Sequence, residues 1–210
     1  MLRVYCVDHS LYCAKLRLLL RTKGLAWQDL APPEDYLSIV PTGNLPALVD
    51  GDLVLTDSEA IAEYLEEKHP SPAMLPQGLF ARAKCRELAR FHDTRLEPAL
   101  RLLFKNVSPA ARDASEVNDA HELITKRLTA LGELLSQSPL PTNRLWLSDC
   151  GLLVTFQWLK LFEERAVLPK LNWPKACTKW EIALHKLPQV ADELAFYRPH
   201  MIEWVDSKGA

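Results

Sequence analysis

The first third of the chain changes its hydrophobic period several times. An apolar run at 2–7 predicts a buried strand, and a helical pattern at 11–22 ends at Gly24, a typical residue just past a helix. A weaker apolar run at 25–30 predicts a second strand, and 34–40 predicts a short helical turn. This alternation of strand and helix patterns is typical of an α/β domain.

A β-hairpin and a helix are predicted next. An Asp-Gly pair separates the apolar runs 46–49 and 53–55, and this dipeptide between two such runs is the strongest short hairpin signal. Thr56 and Glu59 have the spacing of a capping box, which predicts a helix over 57–68. Because the hairpin is antiparallel and the earlier strands are joined by a helix, we expect a mixed sheet of four strands.

The remaining chain has only helical patterns. A proline-rich segment at 69–76 precedes them, and Pro98 is expected to kink or end the first helix, because proline lacks the N–H and crowds the preceding turn. The pattern at 149–167 is apolar on nearly every side and predicts a buried central helix. The predicted helices span 77–96, 110–136, 149–167 and 173–187, with a short segment after Pro188.

Two domains follow from this change of pattern. We expect an α/β domain with a mixed four-stranded sheet at residues 1–75 and an all-α domain at residues 76–210. A length of 210 residues suits one large domain or two small ones.

Composition and charge exclude several functional classes. A net charge of −2 gives no electrostatic footprint for nucleic acid, and no apolar stretch reaches the roughly 18–20 residues of a membrane span. The five cysteines are scattered, with no C-x-x-C pair and no zinc spacing, so we expect no metal site. Free thiols without a signal-peptide pattern at the first residues predict a cytoplasmic protein.

Four segments carry a resemblance to a known family. Ser-Leu-Tyr-Cys at 10–13 lies between the first strand and its helix, and Pro-Thr-Gly-Asn-Leu-Pro at 41–46 is similar to N-P-x-G-x-V-P. The segment 57–65 is similar to E-S-x-A-I-x-x-Y-L, and the proline-rich segment 69–76 precedes the helical half. The chain resembles the cytosolic glutathione transferases, of the serine type and more bacterial than mammalian. The resemblance implies a thioredoxin-like N-terminal domain followed by an all-helical domain.

The resemblance assigns the catalytic position to Ser10, whose hydroxyl would donate to the sulfur of glutathione. A hydrogen bond to a charged acceptor contributes about 1.5–3 kcal/mol, which lowers a thiol pKa by about one to two units. A thiol whose pKa starts near about 8.5 would then be largely ionised at neutral pH. The alternative for Ser10 is a helix N-cap alone.

The resemblance also assigns residues that bind glutathione. Leu45 would precede a cis Pro46 and pair its backbone with the cysteinyl residue as an added strand. Ser58 would bind the γ-glutamyl carboxylate at a helix N-terminus, Asp57 the ammonium of that residue, and Asn44 the glycine end. The alternatives are a trans proline that opens an edge strand, simple capping by the 57–58 pair, and a turn role for Asn44.

A small apolar electrophile is the second substrate that the family implies, in a cleft between the domains. We expect the walls of that cleft to come from Leu11, the 91–104 segment, and Trp158 or the 196–197 pair. The charged residues between His92 and Lys105 face this cleft or a partner subunit, or they form a solvated helix face. The family also implies a homodimer and, in the helical half, a buried Asp149 that accepts backbone N–H groups.

Two other functions remain open at this point. Cys13 lies one turn into the first helix, where redox proteins of related fold keep a resolving cysteine, and it would serve glutathione-dependent thiol exchange or reduction. The alternative for Cys13 is a small buried core residue. The third hypothesis is a non-catalytic protein-binding module of the stringent starvation protein A type, whose linker resembles the proline-rich segment 69–76.

Overall fold

The computed structural model describes residues 1–209. Its N-terminal part is a mixed four-stranded sheet in the order β2-β1-β3-β4, with β1 parallel to β2 and antiparallel to β3. β3 and β4 form the predicted hairpin. The strands are β1 (Leu2–Tyr5), β2 (Trp27–Leu30), β3 (Ala47–Asp50) and β4 (Leu53–Thr56). The predicted fold class, with a mixed sheet followed by a helical domain, is confirmed.

Three helices belong to this part: α1 (Leu11–Lys23), α2 (Tyr36–Ile39) and α3 (Ser58–Lys68). Gly24 follows α1 at φ +64°, and its N–H donates to carbonyls of the last turn, as predicted. The predicted Thr56–Glu59 capping box is wrong. Asp57 is the N-cap of α3, and its carboxylate accepts the N–H groups of Glu59 and Ala60, each at 3.0 Å. A carboxylate that already caps both N–H groups leaves no place for the threonine hydroxyl.

The helical part contains α4 (Leu79–Phe91), α5 (Glu97–Arg101), α6 (Ala114–Ser136), α7 (Leu147–Glu164), α8 (Lys175–Leu184) and α9 (Pro188–Asp206). α9 is 19 residues long rather than the short segment predicted, and it contains Pro199. α6 begins later than expected, because Pro109–Ala111 form a 3₁₀ turn and the carboxylate of Asp113 caps the helix.

Pro98 does not end the helix that precedes it. The chain continues from α4 into α5 through a π-helical turn at His92–Leu96, in which the N–H of Glu97 donates to the carbonyl of His92. Pro98 lies in the first turn of α5, and its missing N–H leaves a carbonyl of the preceding π-helical turn without an intrahelical donor. The carbonyl of Thr94, four residues before Pro98, accepts a hydrogen bond from Arg95 instead.

α7 is the central helix of the molecule, as predicted, and it is buried along nearly its whole length. α1 and α4 both pack against it. A Cβ at Gly151 would lie 2.5 Å from the ring of His92, so glycine is required where α7 meets the π-helical turn. The π-helical turn that follows α4 therefore packs directly against α7 through His92.

Asp149 is buried at the start of α7 and accepts N–H groups, as predicted. Its Oδ2 accepts the N–H of Trp146 at 2.8 Å, and its Oδ1 accepts the indole N–H of Trp180 at 3.1 Å. Burial is the largest influence on this carboxyl and raises its pKa to about 7.

This raised pKa predicts a pH dependence of stability. Between about pH 4 and 7 the folded chain retains the proton of Asp149 while the unfolded chain releases it, so the free energy of unfolding should fall as pH rises. Between pH 5 and 7, the free energy of unfolding of Asp149→Asn should fall by about 1–2 kcal/mol less than that of the parent chain. Urea unfolding at several pH values measures this, and exposed Asp119→Asn should keep the parent slope. Equal slopes for Asp149→Asn and the parent would reject the assignment.

Candidate functional site

A cleft of about 440 Å³ brings together residues from three separate segments of the N-terminal part and from the helices after it. Five of the six site residues predicted from the sequence line it, and the sixth, Pro46, follows one of them in the chain. The lining residues are Ser10, Tyr12, Asn44, Leu45, Asp57, Ser58, Arg90, Asp93 and Arg101. The sequence pattern therefore located side chains that are neighbours in space.

Ser10 is the N-cap of α1. Its Oγ accepts the N–H of Cys13 at 3.4 Å, and its own N–H donates to the carbonyl of Val7 at 3.1 Å. The cap uses the hydroxyl only as an acceptor, so the hydroxyl proton is available to an acceptor in the cleft. The capping role and a donor role toward a ligand are compatible in this geometry.

The peptide bond between Leu45 and Pro46 is cis, as the resemblance implied. Within residues 1–209, the backbone N–H and C=O of Leu45 make no hydrogen bond to other protein groups. The carbonyl of Asn44 accepts from the hydroxyl of Tyr36 at 2.7 Å, while the Asn44 side chain is exposed. Burial raises the pKa of Tyr36 to about 12, which keeps its hydroxyl a donor. This segment presents a free backbone edge to the cleft.

Asp57 and Ser58 lie at the N-terminus of α3. The Oδ1 atom of Asp57 accepts the two capping N–H groups, and its Oδ2 atom has no hydrogen-bond partner within residues 1–209. Ser58 is 8% exposed, and its Oγ accepts from the ammonium of Lys15 at 3.1 Å. Asp57 therefore caps α3, as the alternative interpretation held, and its Oδ2 atom is still available to a ligand.

Lys15 is a component of the site that sequence reasoning missed. Its side chain is 4% exposed, and its Nζ lies 2.8 Å from Glu59 and 3.0 Å from Asp93. Burial lowers the pKa of Lys15, but the two carboxylates raise it more, so the net direction is upward and the ammonium stays charged. A lysine between apolar residues of a helix that is buried on all sides was the available signal.

His92 is buried, and the side chain of Asp93 is 11% exposed and lines the cleft, so neither residue belongs to a solvated helix face. His92 Nδ1 lies 2.7 Å from Asp93, and its Nε2 lies 2.8 Å from the hydroxyl of Thr155 on α7. Burial lowers the pKa of His92, so the ring is neutral, with the Nδ1 proton toward the carboxylate. Further along the helix, Arg101 is half exposed and lines the cleft.

The prediction of the walls for a second substrate is wrong for three residues. Leu11, Trp158 and Tyr197 are buried core residues. The indole of Trp158 donates to the hydroxyl of Tyr197 at 2.7 Å, and that hydroxyl donates to the carbonyl of His9 at 3.0 Å. Asp93 and Arg101, from the predicted 91–104 segment, do line the cleft. The wall near the site is therefore more polar than expected.

Cys13 is 1% exposed, and burial raises the pKa of its thiol. The other four cysteines are also free and buried. Among residues 1–209, no group of three or more His, Cys, Asp or Glu side chains is placed to hold a metal ion. No helix in this described part of the chain is long and apolar enough to cross a bilayer.

Comparisons with known proteins show what the chain is similar to. Residues 4–73 match the family model described as glutathione S-transferase, N-terminal domain. Glutathione S-transferase Z1 of Arabidopsis thaliana is 33% identical over 147 residues, which cover 64% of this chain and 65% of that protein. A stringent starvation protein A homologue of Pasteurella multocida is 42% identical over 84 residues, 38% of this chain and 40% of its own length. The chain thus matches about two fifths to two thirds of these relatives.

Solved structures share the fold over nearly the whole chain. The theta class glutathione S-transferase of Xanthomonas axonopodis pv. citri, with glutathione bound, superposes with a TM-score of 0.77 at 21% identity and covers 91% of this chain and 96% of its own. A delta-class glutathione transferase of Nilaparvata lugens gives 0.83 at 17% identity, with 99% and 100% covered. Residues 4–73 therefore match the N-terminal domain of the glutathione S-transferases, and nearly the whole chain shares the fold of solved glutathione transferases.

Proposed function

We propose that this chain is a glutathione transferase that ionises the thiol of glutathione and directs it at a small apolar electrophile. The observation that carries this proposal is the convergence of Ser10, Leu45, Asp57 and Ser58 on one cleft. These four residues come from three distant segments. The chemistry of each matches a different part of the tripeptide.

The sulfur of glutathione would lie at Ser10. The hydroxyl of Ser10 accepts the N–H of Cys13 and keeps its own proton for the thiolate. The N-terminus of α1 adds a positive partial charge at the same place. Together these favour the ionised thiol, which is the nucleophile.

The peptide part of glutathione would lie along Leu45, whose backbone groups are unpaired within the described residues. Ser58 would bind the γ-glutamyl carboxylate with help from the N-terminus of α3. The free Oδ2 of Asp57 would bind the ammonium of that residue, and the exposed side chain of Asn44 would reach the glycine end. No metal or further cofactor is part of this proposal.

Titration calorimetry with glutathione, followed by a conjugation assay with 1-chloro-2,4-dinitrobenzene, tests the proposal. We expect binding with a Kd of about 1 mM or tighter and formation of the thioether. Asp57→Ala should weaken the binding, because it removes both the cap of α3 and the ammonium ligand. Absence of heat at millimolar glutathione would reject the transferase function.

That outcome would favour the second candidate, a non-catalytic protein-binding module. The observation behind it is the match to a stringent starvation protein A homologue, which has a higher identity over a shorter segment than the Arabidopsis relative. The matched segment alone does not separate the two functions. The glutathione titration separates them, because only the transferase requires an occupied cleft.

The thiol-exchange alternative makes a separate prediction at Cys13. Because this thiol is buried and its pKa is raised, we expect Cys13→Ala to conjugate at the parent rate. We also expect iodoacetamide at pH 7 to leave Cys13 unmodified in the folded chain and to modify it in urea, as read by peptide mass spectrometry. Loss of conjugation in Cys13→Ala but not in Ser10→Ala would reverse the assignment.

We further propose a homodimer in the cytoplasm. β4 is an edge strand, and its Leu53 and Val54 are exposed, as are Leu79 and Phe80 in the first turn of α4. Exposed apolar side chains of this size are typical of surfaces that pack on another protein. Five free thiols support a reducing compartment.

A further inference from the structure

A buried ammonium lies behind the cleft and joins three elements. Lys15 of α1 contacts Ser58 and Glu59 of α3 and Asp93 of the π-helical turn. The distances from its Nζ are 3.1 Å to Ser58, 2.8 Å to Glu59 and 3.0 Å to each oxygen of Asp93. Its side chain is 4% exposed, so these protein groups replace its hydration.

The contacts of Lys15 fix the role of the Ser58 hydroxyl. An ammonium carries three protons and no lone pair, and here it has three partner side chains. Ser58 must therefore accept from Lys15. Its own hydroxyl proton then points away from the ammonium, and Ser58 lines the cleft. A serine that accepts from a cation is also a better donor to an anion, because hydrogen bonds in a chain polarise one another.

Asp93, a partner of Lys15, has further contacts of its own on the side toward α7. Asp93 accepts from His92, and His92 contacts Thr155 in the middle of the central helix α7. Glu59 and Asp93 together offset the charge of the ammonium, so the cluster does not by itself attract an anion. The cluster instead holds the side chains that contact Lys15 in fixed positions.

We propose that Lys15 is a positioning residue of the glutathione site, which orients the hydroxyl of Ser58 toward the γ-glutamyl carboxylate. This inference rests on the proposed function. α1 would then act at both ends of the ligand, with Ser10 at the sulfur and Lys15, through Ser58, at the carboxylate.

A protein–ligand cycle tests the proposal. The probes are glutathione and its analogue 4-aminobutyryl-cysteinyl-glycine, which lacks only the γ-glutamyl carboxylate. We expect Lys15→Met to weaken glutathione binding by about tenfold or more and to change binding of the analogue by less than about threefold, because only the carboxylate contact is lost. Ser58→Ala should show the same preference. The combined Lys15→Met, Ser58→Ala variant should bind glutathione no more weakly than Ser58→Ala alone.

Lys15→Met leaves two carboxylates facing each other, so a neutral variant guards against unfolding. Lys15→Met combined with Glu59→Gln and Asp93→Asn removes all three charges, and it should show the same loss for glutathione alone. Equal weakening of both probes by the lysine variants, or additive effects with Ser58→Ala, would show a merely structural role and overturn the inference. Absence of glutathione binding by the parent chain would instead overturn the proposed function, and this inference with it.

Discussion

Replacing Glu193 with glutamine should lower the free energy of unfolding by about 3–5 kcal/mol, because it leaves a buried guanidinium without its counter-charge. Glu193 of α9 is fully buried, and Arg17 of α1 is 2% exposed. The Nε of Arg17 lies 2.7 Å from one oxygen of Glu193, and Arg21 lies 2.8 Å from the other. This triad joins the helix that carries Ser10 to the last helix of the chain.

The guanidinium of Arg17 has few partners other than Glu193. It donates to the carbonyl of Asp8 at 3.2 Å and packs against the rings of Phe196 and Tyr197. Burial lowers the pKa of Arg17, whereas Glu193 raises it more, so the net direction is upward and the guanidinium stays charged. Without the Glu193 carboxylate, nothing offsets the free-energy cost of burying the charged guanidinium of Arg17.

Urea unfolding at neutral pH measures this effect. Glu164→Gln is the matched control, because Glu164 pairs with Arg198 of α9 where both side chains are more than a third exposed. That control should change the free energy of unfolding by less than about 1 kcal/mol. A loss in Glu193→Gln no larger than in the control would contradict the role of the triad.

Replacing Ser10 with alanine should reduce kcat/KM for conjugation at neutral pH by about 10- to 100-fold. The basis is a hydrogen bond to a thiolate, which contributes about 1.5–3 kcal/mol, with tenfold in rate for each 1.4 kcal/mol. Without that bond the pKa of the bound thiol should rise by about one to two units. The pH profile of the variant should therefore move upward, and activity should recover at alkaline pH.

A second effect of Ser10→Ala has to be separated from this one. Ser10 caps α1, and loss of an N-cap lowers stability by about 1 kcal/mol. Asp113→Ala removes the cap of α6, far along the chain, and should reduce stability without moving the pH profile. If Ser10→Ala lowers kcat/KM equally at every pH, the donor role would be rejected in favour of a structural one.

Local signals in the sequence predicted most of the N-terminal fold. Gly24 marks the end of α1 because it adopts a left-handed conformation, and the Asp-Gly pair marks the hairpin between β3 and β4. Both depend only on backbone geometry that a few adjacent residues determine. The site residues near Ser10, Leu45 and Ser58 were found through a family pattern, and the structure brings them to one cleft.

Features that depend on distant partners could not be predicted in this way. Lys15 is buried because carboxylates of other elements satisfy it, and His92 is buried because the Thr155 hydroxyl of α7 and the neighbouring Asp93 satisfy its ring. The expectation that Pro98 could end its helix was wrong, because a π-helical turn places Pro98 in the first turn of α5 and the helical chain continues. The length of α9 was missed because Pro199 lies inside it.

The most direct test of the central claim is a crystal structure of the chain with glutathione. We expect the tripeptide to lie along the backbone of Leu45, with its γ-glutamyl carboxylate at Ser58 and its sulfur within hydrogen-bonding distance of the Ser10 hydroxyl. A sulfur that points away from Ser10, or a tripeptide bound outside this cleft, would contradict it.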